Sequence, residues 1–296
     1  MQKPKCQKTK KSNVLCIFAA TLTVMLALIA GCDPANKDHY VEQIVLQGQM
    51  FVGQAPEIRL AHTVRLETRY DPNNVGISGA DVVLTAEADT FHLTERLSDL
   101  RGAGYYGLRP GDSLILTPGA HYSIRAIAGT DTITAQTRAA GFVRVTVPAR
   151  DQAPDTILYD GQFRYGINWE RDSLARGYWL IYENVNPHHA DDSTLLCATN
   201  AGPDKREGVY ASYWSVPPTM DSTNSPAILF NRDGLHRARI FSCDSALWYW
   251  SSTWMPIAIQ PNPISNVHGA LGLFSVGGVD TVYFYIAKNP AFDNCP

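Results

Sequence analysis

Phe163-Arg164-Tyr165-Gly166-Ile167-Asn168-Trp169 places a large apolar residue at every second position. That two-residue period belongs to a strand with one buried face and one face toward water. The same period runs through Tyr122, Ile124 and Ala126 against Ser123 and Arg125, and through Val143, Val145 and Val147 against Arg144 and Thr146. It returns near the end of the chain, where Val282, Phe284 and Ile286 alternate with Tyr283 and Tyr285. Turn-forming stretches lie between such runs: Asp71-Pro72-Asn73-Asn74, Arg109-Pro110-Gly111-Asp112, Thr117-Pro118-Gly119 and Gly129-Thr130-Asp131. Short strands at this spacing predict an all-β protein built from antiparallel β-sandwiches. Two helices are expected, about Asp244 to Trp254 and, on the spacing of Leu93, Leu97 and Leu100, Phe91 to Arg101.

The 296 residues, 45% of them hydrophobic, are enough for two cores. Pro148-Ala149-Arg150-Asp151-Gln152-Ala153-Pro154-Asp155 is a polar stretch bracketed by prolines, and all six tryptophans follow it. This compositional step predicts one β-sandwich over 41–149 and a second, carrying the short helix about Asp244 to Trp254, over 157–296.

The N-terminus is of another kind. Lys3, Lys5, Lys8, Lys10 and Lys11 precede an uncharged, mostly apolar run from Asn13 to Gly31, which ends in Leu28-Ile29-Ala30-Gly31-Cys32. A basic region followed by an apolar one is a secretory signal, and the small residues before Cys32 have the pattern of a bacterial lipobox. Residues 1–31 are therefore expected to be removed, and Cys32 to carry lipid, with 32–40 as a polar tether. Acyl chains each contribute about 0.8 kcal/mol per buried CH₂, enough to hold a protein on a membrane without a spanning helix. The expected location is the bacterial cell envelope, as an outer-membrane lipoprotein facing the periplasm or the surface, with the lipid membrane as partner through Cys32. Past the signal, 20 basic residues face 28 acidic ones, and this balance argues against a nucleic-acid partner.

The first half contains Gly79-Ala80-Asp81-Val82-Val83-Leu84, then Gly104-Tyr105-Tyr106, then Pro118-Gly119-Ala120-His121-Tyr122-Ser123-Ile124. This succession resembles the immunoglobulin-like or carboxypeptidase-regulatory-like modules of surface lipoproteins. The second half contains Trp169-Glu170, Gly177-Tyr178-Trp179-Leu180, the run Asp233 to Ile240, Cys243-Asp244 with Trp248-Tyr249-Trp250, and the closing Asn266-Val267-His268-Gly269-Ala270-Leu271-Gly272-Leu273-Phe274. With the lipobox, these are similar to the lipoproteins of domain-of-unknown-function family 4249, although Ala270 stands where that pattern has glycine. The resemblance implies an extracytoplasmic protein of a kind often encoded beside a TonB-dependent outer-membrane receptor. It implies no catalytic residues.

Signals for chemistry are sparse. Once the signal leaves and Cys32 is lipidated, Cys197, Cys243 and Cys295 remain, and of the three pairings Cys197 with Cys243 is favoured because both lie in the body of the second half. No Cys-x-x-Cys spacing exists, so a structural zinc site is not expected; the expectation is also of no other metal and no cofactor. His188-His189-Ala190-Asp191-Asp192 reads as an exposed loop, since adjacent histidines of an extended chain point apart. Asp71 to Gly76 reads as a β-turn rather than a calcium loop. Gly76-Ile77-Ser78-Gly79 looks like a nucleophile elbow but leads into a strand, where an elbow leads into a helix. Trp248, Trp250 and Trp254 are the best candidates for a binding surface, with core packing as the competing reading. The sequence thus points to a lipid-anchored binding or accessory component of an outer-membrane receptor or uptake assembly. A lipid-anchored hydrolase of extracellular polymer, or a purely structural envelope lipoprotein, is the alternative.

Overall fold

The computed structural model describes residues 40–65, 67–69, 71–96, 102–148, 156–159, 164–185, 211–226, 233–254 and 264–289. The strands are β1 (Ile44–Phe51), β2 (Glu57–His62), β3 (Asp81–Ala86), β4 (Asp89–Glu95), β5 (Tyr105–Leu108), β6 (His121–Ala128), β7 (Asp131–Arg138), β8 (Arg144–Val147), β9 (Thr156–Tyr159), β10 (Arg164–Glu170), β11 (Gly177–Asn184), β12 (Ala211–Val216), β13 (Ser222–Pro226), β14 (Gly234–Cys243), β15 (Val267–His268) and β16 (Leu271–Lys288). One helix, α1 (Ser245–Trp254), follows β14, and Pro72–Val75 forms a single helical turn. The chain is all-β, as the alternation predicts.

In the first half the strands follow the order β16-β1-β2-β5-β4-β3-β6-β7-β15. Because β15 and β16 are separated only by Gly269 and Ala270, the two ends of this series meet and enclose one core. Leu46, Leu60, Leu84, Ile124, Ile133 and Phe274 fill it. Asn266 ties the seam: its side-chain N–H₂ donates to the carbonyls of Gln136 (3.0 Å) and Phe274 (2.7 Å), and its oxygen accepts from the Phe274 amide (3.0 Å). Gly272 makes the approach of β16 to β1 feasible. Its φ is +122°, and a Cβ there would stand 2.0 Å from the Leu46 carbonyl oxygen.

In the second half the sheet β12-β11-β14-β16, with β9 on the far side of β16, faces the three-stranded sheet β13-β10-β8. The inward residues are those of the predicted alternation, Tyr165, Ile167 and Trp169 from one sheet and Val282, Phe284 and Ile286 from the other. Tyr165 stacks on Phe284 with ring centres 3.9 Å apart.

The long strand β16 serves both cores. Its first part pairs in parallel with β1 and sends Phe274 and Val276 into the first core; its second part pairs with β14 and sends Val282, Phe284 and Ile286 into the second. Between them the chain crosses from one half to the other over Gly278, where a Cβ would stand 2.4 Å from the Gly141 carbonyl oxygen. Residues Val267 to Val276, which sequence position assigns to the second sandwich, thus complete the first core. Residues 43–296 form one compact unit.

The helix expected over Phe91 to Arg101 is not formed in its described part. Residues Asp89–Glu95 are strand β4, joined to β3 by a tight turn at Glu87 and Ala88 that sets Ala86 opposite Asp89 and Val82 opposite Leu93. Hairpin closure and burial of Leu93 outweigh a helical spacing of leucines. Residues 97–101 lie outside the described set.

Candidate functional site

Helix α1 begins at Asp244, an N-cap whose carboxylate accepts the Leu247 amide (2.8 Å). The same carboxylate accepts the Thr137 hydroxyl from β7 (2.6 Å) and the Val276 amide from β16 (2.8 Å), so one side chain joins the helix, the first core and the shared strand. It is buried, and burial pushes its pKa up to about 6 despite these bonds.

The helix covers the outer face of β11 and β14, where Trp179 and Phe241 lie side by side with Leu247 above them. Of the three candidate tryptophans, Trp248 packs flat on Gly177, where a Cβ would stand 2.3 Å from its ring; this is core packing. Trp250 meets Trp179 edge to face, with ring centres 6.1 Å apart. Trp254 ends the helix, and its side chain lies outside the described set.

Cys197, the expected disulfide partner of Cys243, lies outside the described residues, so the structure shows Cys243 alone. It is a free thiol, fully buried in the apolar layer beneath α1, and burial with the neighbouring Asp244 carboxylate holds it protonated. Cys197 and Cys295, the His188 to Asp192 stretch, the linker from 149 to 155 and the lipidation site Cys32 with its signal lie outside the described residues. Among those described, no helix is long and apolar enough to cross a membrane. Ser78, in the elbow-like tetrapeptide, donates to Glu95 (2.7 Å). Glu95 also accepts the amides of Gly104 and Gly79; burial raises its pKa, and these three bonds together bring it below the usual value. Ser78 is thus part of a structural clasp.

Two surface features stand out. The first is a groove of about 570 Å³ over the outer face of β1, β2, β5 and the start of β16, walled by Trp250 and Trp179. Cross-strand register builds its floor: Gln47 lies opposite Leu273 on one side and Arg59 on the other, and Arg59 lies opposite Tyr105. The Arg59 guanidinium sits over the Tyr105 ring, 5.1 Å from its centre. Gln49 and Glu57 extend this polar floor.

The second is the part of the β11-β14-β16 face that α1 leaves uncovered. Register places Glu183, Arg237 and Tyr283 in one row and Leu235, Tyr285 and Thr156 in the next. Glu183, itself nearly buried, accepts from Arg237 (2.9 Å) and Arg239 (2.8 Å). The hydrogen bond that Arg237 donates to Glu183 is the main reason that the Arg237 pKa is raised. Tyr283 and Tyr285 stand 45% and 42% exposed, and Leu158 on the adjoining β9 is 56% exposed. The result, among the described residues, is a face of aromatic, aliphatic and arginine side chains in which two arginines meet one carboxylate.

Asp244, Arg59 and the Glu183 cluster were not singled out from sequence. An aspartate directly before a helix is a readable capping signal; the other two depend on which strands become neighbours. No protein-family model matches the chain, and no curated protein matches it.

Proposed function

We propose that this is a lipid-anchored protein of the bacterial envelope that acts by binding, as an accessory component of a TonB-dependent outer-membrane receptor or uptake assembly. The observation that carries the reading is the exposed face of Tyr283, Tyr285, Leu158, Arg237 and Arg239. Tyrosine and arginine are the residues that dominate protein interfaces, because each offers a large contact area with a polar handle. The arginines are preset by Glu183, which lowers the ordering cost of engaging a partner. The lipobox ending at Cys32 supplies the anchor, and the resemblance to the family 4249 lipoproteins supplies the receptor neighbour.

The test is affinity purification of the anchored protein from membranes. Wild type is expected to bring down a receptor-like barrel, and the double variant Tyr283→Ala, Tyr285→Ala to lose at least about tenfold of that recovery while melting like wild type. Recovery of wild type alone, together with polymer turnover abolished by replacing a single carboxylate, would favour the hydrolase instead.

A further inference from the structure

We propose that the groove beside α1 binds a neutral saccharide. Three observations meet there. Gln47 and Gln49 are exposed on the floor, two residues apart on one face of β1, with Arg59 one strand away from Gln47. The amide of each glutamine offers donors and an acceptor in one plane, which matches the adjacent hydroxyls of a pyranose; Arg59, itself buried, can add donors only. The half-buried ring of Trp250 forms the wall, an apolar surface on which the C–H face of a sugar ring can stack. Among the described residues the charged ones in the lining are Glu57 and Arg59, one of each sign, which favours a ligand without net charge.

Other ligand classes fit less well. β1, β2 and β5 are each paired on both sides, so a peptide finds no open edge for strand addition. A wholly apolar ligand could cover the Leu271, Leu273 and Trp250 part of the lining but would leave the hydrogen-bonding groups of Gln47 and Gln49 unmatched. The inference is independent of the proposed partner face, which shares no residue with the groove.

The experiment titrates the protein with cello-, xylo-, manno- and maltopentaose, following tryptophan emission and heat of binding. At least one is expected to bind and shift the emission. Gln47→Ala and Trp250→Ala should each weaken that binding about tenfold or more, with Gln47→Ala melting like wild type because its side chain is exposed. The Tyr283→Ala, Tyr285→Ala variant should bind the sugar unchanged. Absence of binding at millimolar concentration for all four sugars, or binding that Gln47→Ala leaves intact, would overturn the proposal.

Discussion

The two cores meet along β16 yet are built from different side chains. The first is mainly aliphatic, with Leu46, Leu60, Leu84 and Ile133 fully buried among Ala126, Ala135 and Ala139. The second is aromatic, with Tyr165, Trp169, Tyr178, Tyr182 and Phe284. Small residues let one series of strands curve until its ends meet at β15 and β16. Large rings instead fill the gap between two facing sheets, and two of their hydroxyls are hydrogen-bonded there: the Tyr178 hydroxyl accepts the Asp172 amide at 2.7 Å, and Tyr182 pairs with Ser225. The second core also buries a histidine, His236, stacked on Phe284. The contrast is that the first half depends on closure and the second on aromatic packing between two sheets.

Closure is the more fragile of the two. Gly272→Val places a branched side chain at φ +122° and against the Leu46 carbonyl, 2.0 Å from the new Cβ. We expect a loss on the order of 4 kcal/mol or more, visible as failure to give a cooperative thermal transition. A folded Gly272→Val protein would show that the first core does not need the close pairing of β1 with β16.

Two buried ionisable groups sharpen the comparison, because they respond to pH in opposite senses. Asp244 at the junction is raised to about 6 by burial, so its contribution to stability is full below its ordinary 3.8 and is lost as pH rises through 6. His236 in the second core is lowered to about 4 by burial, so its contribution is full above its ordinary 6.5 and is lost as pH falls through 4. Each effect is worth roughly 3 kcal/mol, and between pH 4 and 6 they oppose each other. Asp244→Asn should therefore lose stability more steeply than wild type as pH falls through this window. His236→Gln should gain stability relative to wild type over the same window. Denaturant midpoints across pH check both, and parallel slopes for all three proteins would contradict the assignment.

Much of this was legible in the chain. Tyr122, Ile124 and Ala126 are buried as their alternation requires, as are Tyr165, Ile167, Trp169 and the apolar set of β16. The helix after Asp244 was equally plain, since a capping residue precedes a run containing Leu247 and Trp250. What alternation cannot carry is partnership. It tells which face of β16 is buried but not that the strand runs parallel to β1 and then antiparallel to β14, so Val267 to Val276 read as part of the second half. The groove stayed hidden for the same reason: Gln47, Arg59 and Tyr105 are far apart in sequence and become a row only through register. Nor does position along the chain tell that Cys243 lies buried beneath α1.

The central claim is that β16, by belonging to both cores, makes them unfold as one. Ile124→Val tests it with a small perturbation, since Ile124 lies in the first core and every tryptophan lies in the second half. The substitution should cost about 1 kcal/mol, and thermal unfolding should be followed by tryptophan fluorescence and far-ultraviolet circular dichroism together. The account predicts that the tryptophan transition moves down by the same few degrees as the circular dichroism transition. A tryptophan transition that stays at the wild-type temperature while part of the circular dichroism signal shifts would show that the two cores melt separately.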